Sequence, residues 1–182
     1  KVPVRVLSSF NEGSGTLISL EDKGMENALV SGIAFQKDQV KVTLHGVEDT
    51  PGTAFKILGP ISDAEIEVDV IVQNVSVDGK TDFTFTVSTE DQEAIKGIIE
   101  DIRQKIEFKD LIIDSEIAKV SLVGVGMRSQ SGVASKTFKA LSENDVNIQI
   151  ISTSEIKITM VIKEDEVDKA VQVLHKEFEL DK

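Results

Sequence analysis

Within its 182 residues the chain carries one unit twice, and this internal repeat constrains the fold more than any other feature. The first copy opens with VKVTLHGVEDTPGTAFKIL (40–58) and the second with KVSLVGVGMRSQSGVASKTF (119–138). Val42, Leu44, Gly46 and Val47 match Val120, Leu122, Gly124 and Val125 at a spacing of 78. Beyond the turn, Gly52, Ala54, Lys56 and Ser62 match Gly132, Ala134, Lys136 and Ser142 at 80, so the second turn holds two extra residues. Two apolar alternations follow in each copy: Ile66, Val68, Val70 against Val146, Ile148, Ile150, then Phe83, Phe85, Val87 against Ile156, Ile158, Met160. Each copy closes on residues at helical spacing, Ile95, Ile98, Ile99, Ile102, Ile106 against Val167, Ala170, Val171, Leu174, Phe178, all 72 apart. The unit is therefore strand, helix, strand, strand, helix. A period near 80 is too long for a solenoid, which leaves two homologous small domains of mixed α and β structure.

A fourth strand follows the second helix of copy one at 108–114 (FKDLIID), but nothing comparable follows the second helix of copy two. The strand-like run 28–35 (ALVSGIAF) precedes copy one instead. If each domain needs four strands, copy two takes 28–35 as its last, and the first domain is inserted within the second. Inside the repeat, the first helix is expected to bury Ala54, Ile57, Leu58 and Ile61 and to kink or break after Leu58, because Gly59-Pro60 falls within it. Thr89-Glu90-Asp91-Gln92 predicts a capping box in which Thr89 accepts from the Gln92 amide. Ahead of the repeat, Val2, Val4 and Val6 alternate as a strand, and 16–20 reads as a second short one. The chain begins with Lys1 rather than Met, so the sequence is expected to start inside a longer protein. Met25 reads either as a linker residue or as an internal start of a separately made chain.

Charge narrows the partners. With 32 acidic against 20 basic residues the net charge is −12, which repels phosphate backbones and anionic lipid. Phe is the only aromatic residue, so platforms for stacked bases are scarce. Neither nucleic acid nor membrane is expected as a partner, and no apolar run approaches the ~18 residues of a membrane helix. The absence of cysteine excludes disulfides and thiolate metal sites. A cytoplasmic chain with no metal is the expectation.

No complete catalytic site emerges. His45 and His175 lack a neighbouring nucleophile, and Glu65, Glu67 and Asp69 alternate with Ile66 and Val68 as the polar side of a strand. The glycines of 124–132 lack the spacing and the Lys-Ser/Thr ending of a phosphate loop. The strand-to-helix turns remain. Gly52 and Gly132 each stand at a helix start, where unpaired amides and the dipole can hold a carboxylate. Near them, Gln73-Asn74 in copy one and Ser152 to Glu155 in copy two offer amide and hydroxyl groups, and Asp49 offers an acceptor to an ammonium. Such a set suits a zwitterionic amino acid. It equally suits a turn glycine beside polar strand ends with no ligand, and the residues alone leave both readings open.

The segments VKVTLHGVEDTPGTAFKI, VDVIVQNVS, TDFTFTV, KVSLVGVGM, SGVASKTFKAL and VNIQIISTSEIKITMVI resemble the tandem ACT domains at the C-terminal end of aspartate kinase. KVPVRVLSSFNEGSGTLI resembles the last strand region of the amino-acid kinase domain that precedes them. The resemblance implies an α+β chain of two ferredoxin-like ACT domains (βαββαβ), with antiparallel sheets, helices on one face and the first domain inserted in the second. Residues 1–20 would trail the kinase domain, 21–27 form a linker, 36–117 the first ACT domain, and 28–35 with 118–182 the second. It implies an allosteric module that binds threonine and/or lysine for feedback inhibition of aspartate phosphorylation in lysine, threonine and methionine synthesis. The chain would not be an enzyme on its own, since the catalytic domain, with its ATP and Mg, is not among these segments. A homodimer through the ACT domains and an aspartate kinase catalytic domain or alpha subunit are the implied partners. Effector contacts fall on Asp49, Gly52, Thr53, Ala54, Gln73, Asn74, Asn147 and Ile148. A second, regulatory set falls on Ser76, Met127, Ser131, Gly132, Val133, Thr153, Ser154 and Glu155. An ACT-type sensor of another metabolic enzyme, or a nucleic-acid-binding ferredoxin-like module, is the alternative.

Overall fold

The structure is a computed structural model that describes residues 4–10, 13–18, 30–74, 78–124 and 132–180. In chain order the elements are β1 (Val4–Val6), β2 (Thr16–Ile18), β3 (Gly32–Glu48), α1 (Thr53–Asp63), β4 (Ile71–Gln73), β5 (Lys80–Ser88), α2 (Gln92–Arg103), β6 (Asp110–Val123), α3 (Val133–Ser142), β7 (Ile150–Thr153), β8 (Lys157–Lys163) and α4 (Val167–Glu177). A 3-10 turn leads into α2 and another into α4.

β3, at 17 residues, joins the run around 32–35 to the first strand of copy one, and β6 likewise joins 110–114 to the first strand of copy two. The junctions at 36–39 and 114–117 contain neither Gly nor Pro, so nothing in them forces a turn. The two strands run antiparallel along their whole length. The early part of β3 pairs with copy two (Gly32↔Val123 to Gln36↔Lys119) and its later part with the first domain's own last strand (Lys41↔Asp114 to His45↔Asp110). Strand 110–114 thus closes the first domain and strand 32–36 closes the second, which is the inserted arrangement. Register shifts between Gln36 and Lys41 mark the boundary. All six strands form one antiparallel sheet in the order β4-β5-β3-β6-β8-β7, and β1 with β2 forms a separate two-stranded sheet.

Because side chains alternate across a strand, Val40, Val42 and Leu44 point to one face of β3. There they join Phe83, Phe85, Ile57, Ile61, Ile95 and Ile99 in one buried cluster. Ala118, Val120 and Leu122 of β6 join Ile158, Met160, Val133, Leu141, Ala170 and Leu174 in a second. Each fully buried Ile or Leu contributes about 1.5–3 kcal/mol, so each pair of helices is held by its apolar stripe. The opposite face is rich in hydroxyls: Thr43 pairs across strands with Thr84 at 3.0 Å, and Ser121 with Thr159 at 2.8 Å.

Four local expectations change. α1 runs without a break through Pro60; the preceding Gly59 has no Cβ to clash with the proline ring, which relieves the usual bar to helix before proline. Thr53 rather than Ala54 is buried under α1, with Ala54 exposed. Ser88, not Thr89, caps the entry to α2, its hydroxyl accepting from the Glu90 amide at 3.3 Å. Residues 66–70 alternate buried and exposed as expected, but only Ile71–Gln73 forms ladder strand. The turn ahead of it is tied instead through Thr86, whose hydroxyl accepts from the Val70 amide at 3.1 Å.

Candidate functional site

The turn from β3 into α1 is built by its own polar groups. Thr53, buried, donates its hydroxyl to the Glu48 carbonyl at 2.9 Å and lies 3.1 Å from the Thr50 hydroxyl. Its amide reaches the Thr50 carbonyl at 3.2 Å, closing the turn over Pro51-Gly52. This closure requires Gly52 to take φ 93°, in the left-handed region that favours glycine. Gly132 takes φ 117° at the start of α3, so both copies enter their first helix in the same way. Neither glycine can cap its helix with a side chain, and among the described residues a Cβ at either position would meet nothing within 4 Å. The amides of Ala54 and Phe55 stand in the first turn, where no intrahelical carbonyl is available, beside this open space.

Gln73, at the end of β4, donates its side-chain amide to Asp49 Oδ1 at 3.2 Å, while the Asp49 backbone amide is held by the Gly79 carbonyl at 2.9 Å. Asn74 sits next to Gln73, its carbonyl accepting from the Thr81 hydroxyl. Asp49, Gly52, Ala54, Gln73 and Asn74 are all exposed. The fold therefore brings the sequence-predicted set of copy one to one edge: helix amides for an anion, and a carboxylate and amide for an ammonium.

In copy two, exposed Asn147 and half-buried Ile148 line a depression of about 500 Å³ with Phe138, Ser142, Asp145 and Val146. This depression is made by residues of the second domain alone. Thr153, Ser154 and Glu155 form an exposed turn at the end of β7, in which the Ser154 hydroxyl accepts from the Lys157 amide at 3.1 Å. Val133 is buried beneath α3 and so serves packing. Ser76, Met127 and Ser131, like the 21–27 linker, lie outside the described residues.

Two polar groupings escape the sequence reading. His45 Nδ1 lies 3.0 Å from Asp82 Oδ2, and Asp82 Oδ1 accepts from the Gly46 amide at 3.0 Å. That amide is the main cause that holds the Asp82 carboxyl below its ordinary value of 3.8; burial opposes it, and the His45 contact lowers it further. On the hydroxyl-rich face, Lys119 is buried with Asp69 beside it, and Lys41 is largely buried with Asp114. The signal available was that Lys41 and Lys119 are 78 apart, at the same position of the repeat.

Among the described residues no helix is long and apolar enough to cross a membrane, and no cluster of His and carboxylates suited to a metal ion is present.

The ACT domain family matches residues 42–107, and a second ACT domain family matches 120–178. The chain is 56% identical over 181 residues to the aspartate kinase of Pseudomonas fluorescens, covering 99% of this chain and 44% of that protein. It thus spans less than half the length of that curated relative. The crystal structure of aspartokinase alpha and beta subunits is 47% identical with a TM-score of 0.77, covering 82% of this chain and 99% of that one. The ligand-free regulatory subunit of aspartate kinase from Thermus thermophilus is 32% identical with a TM-score of 0.79, over 82% of this chain and 99% of that one.

Proposed function

The chain belongs to the aspartate kinase family, as its tandem ACT regulatory region, and from that premise we propose that it binds threonine and/or lysine and relays feedback inhibition to a catalytic domain or alpha subunit that phosphorylates L-aspartate. ATP and Mg belong to that catalytic part. The first ACT domain is taken as 36–117 and the second as 28–35 with 118–182.

The observation that carries the reading is the uncapped start of α1 beside the Asp49–Gln73 pair. An amino acid presents a carboxylate and an ammonium on the same carbon. First-turn amides with the helix dipole suit the former. Asp49, already oriented by Gln73, suits the latter through a charge-assisted bond. Asn147 and Ile148 lie elsewhere on the chain, in the second domain's depression, so their part in the same pocket requires a partner copy. Ser76, Met127, Ser131, Gly132, Val133, Thr153, Ser154 and Glu155 are proposed as a second, regulatory set, of which Gly132 and Val133 stand at the start of α3 and Thr153 to Glu155 at the end of β7.

Titration calorimetry of the chain with threonine, with lysine and with a short RNA tests this. Binding of at least one amino acid with a Kd on the order of 10 µM to 1 mM, and none of RNA, is the expected result. No heat with either amino acid at ~10 mM overturns it.

A further inference from the structure

Lys41 and Lys119 occupy one position of the repeat, and each reaches out of its own domain to the other. Lys41 Nζ donates to Gln149 Oε1 of the second domain, and Lys119 Nζ pairs with Asp69 Oδ2 of the first. Gln149 and Asp69 are themselves repeat equivalents, 80 apart. On the adjacent strand, Lys41 stands opposite Asp114, with its Nζ 3.1 Å from Oδ2, and Lys119 stands opposite Gln36. Gln36 and Asp114 are again 78 apart. Each lysine thus faces one acid and one amide, and the two halves exchange which position supplies the acid. The Lys119 side chain is 5% exposed and that of Lys41 is 17% exposed.

The apolar cores of the two domains are separate clusters. A cavity of about 630 Å³ lies beside Lys119, lined by Lys37, Glu67 and Asp69 among others. Another, of about 320 Å³, lies beside Lys41 between Val72 of one sheet edge and Ile150 of the other.

We propose that Lys41 and Lys119 form a reciprocal pair of latches that sets the angle between the two domains and passes the state of the effector site between them. The buried Lys119 ammonium does not part from Asp69 without a new partner or water, so that latch has a closed and an open state rather than a continuum, while Lys41 keeps Asp114 within its own domain and exchanges only its bond to Gln149. The second half of the proposal rests on the effector contacts assigned above. Asp69 lies four residues before Gln73 in one extended segment, and Gln149 directly follows Ile148. A ligand that shifts either segment shifts the latch residue it carries.

The exchange of acid and amide supplies the test. Asp69→Gln removes the acid from Lys119, and adding Gln36→Asp recreates there the arrangement of the Lys41 half. The chain has no cysteine, so spin labels placed through Asp101→Cys on α2 and Lys169→Cys on α4, both exposed, report the interdomain distance in a spin-diluted sample. Asp69→Gln is expected to broaden or shift that distance and to lower the unfolding midpoint by roughly 2–4 °C or more; the double variant recovers both. An unchanged distance in Asp69→Gln, or no recovery on adding Gln36→Asp, overturns the latch. These measurements need no ligand, so they stand even if the parent binds neither threonine nor lysine, a result that would instead end the effector reading and the relay with it. If the parent binds and changes its interdomain distance, Asp69→Gln is expected to alter the affinity several-fold. The same affinity and the same distance change in the variant would overturn the relay.

Discussion

At the residue scale, the effector reading concentrates on a few exposed side chains that the core does not need. Gln73→Ala removes the group that orients Asp49, and Asn147→Ala removes one from the second domain's depression. Each is expected to weaken amino-acid binding by about 1–3 kcal/mol, roughly 5- to 150-fold, with unchanged circular dichroism. In a shared pocket the two losses are non-additive. Titration of both single variants and the double checks this, and wild-type affinity in both singles places the pocket elsewhere. Glu65 and Asp145, repeat equivalents 80 apart, sit at φ 59° and 52° just after α1 and α3. Glycine is the usual residue there, so Glu65→Gly or Asp145→Gly is expected to raise stability by about 1 kcal/mol in urea unfolding. Asp82 sets a pH dependence. Its folded pKa is depressed, so its contribution is present above the ordinary value of 3.8 and is lost as the pH falls through the lower folded value. Asp82→Ala is therefore expected to destabilise the chain at pH 7 and to do so less at pH 3. Equal destabilisation at both would show that the Gly46 and His45 contacts are not what lowers it. Gln73 and Asn147 were legible in the sequence, whereas the positions of Glu65 and Asp145 and the setting of Asp82 were not, since a positive φ and a contact between positions 45 and 82 arise only when the chain is folded.

At the element scale, helical and strand periods were readable because one face of every element meets a core. The helix α2, with Ile95, Ile99 and Ile102 buried, follows its spacing closely. Ends and interruptions were less readable, because local chemistry admits more than one solution. Either Ser88 or Thr89 is a competent cap, and the backbone turn Thr89–Asp91 selects Ser88. Ser88→Ala is expected to cost about 1 kcal/mol and Thr89→Ala markedly less, measured by thermal unfolding. A reversed ranking would restore the capping box. Pro60 lies within a continuous α1 and denies the Lys56 carbonyl its amide partner. Pro60→Ala is expected to stabilise by about 1–2 kcal/mol, the gain being reduced because proline also restricts the unfolded chain. The fusion of two short runs into the 17-residue β3 was likewise hidden, since polar residues at 36–39 read as a loop until a neighbouring strand pairs with them.

At the scale of the whole molecule, β4 and β7 are the sheet's outer strands. Ile71 on β4, Ile151 on β7 and Ile156 just beyond it remain 48%, 47% and 59% exposed. Apolar groups on open edges favour burial against another chain, and the proposed pocket needs Asn147 from a second copy, so a homodimer is expected. Light scattering at tens of micromolar should then give about twice the 19.8 kDa of one chain. A monomer with and without threonine and lysine would refute it. The sequence by itself determined the repeat, the two cores and the exchange of strands between domains, because burial imposes a period on each element and four strands complete each sheet. Only the tertiary structure decided that the two sheets are one, that Lys41 and Lys119 cross between domains, and that Asp49 meets Gln73. Those contacts join residues 24 to 108 positions apart, and which groups meet across such separations depends on the twist and register of the assembled sheet rather than on any local pattern.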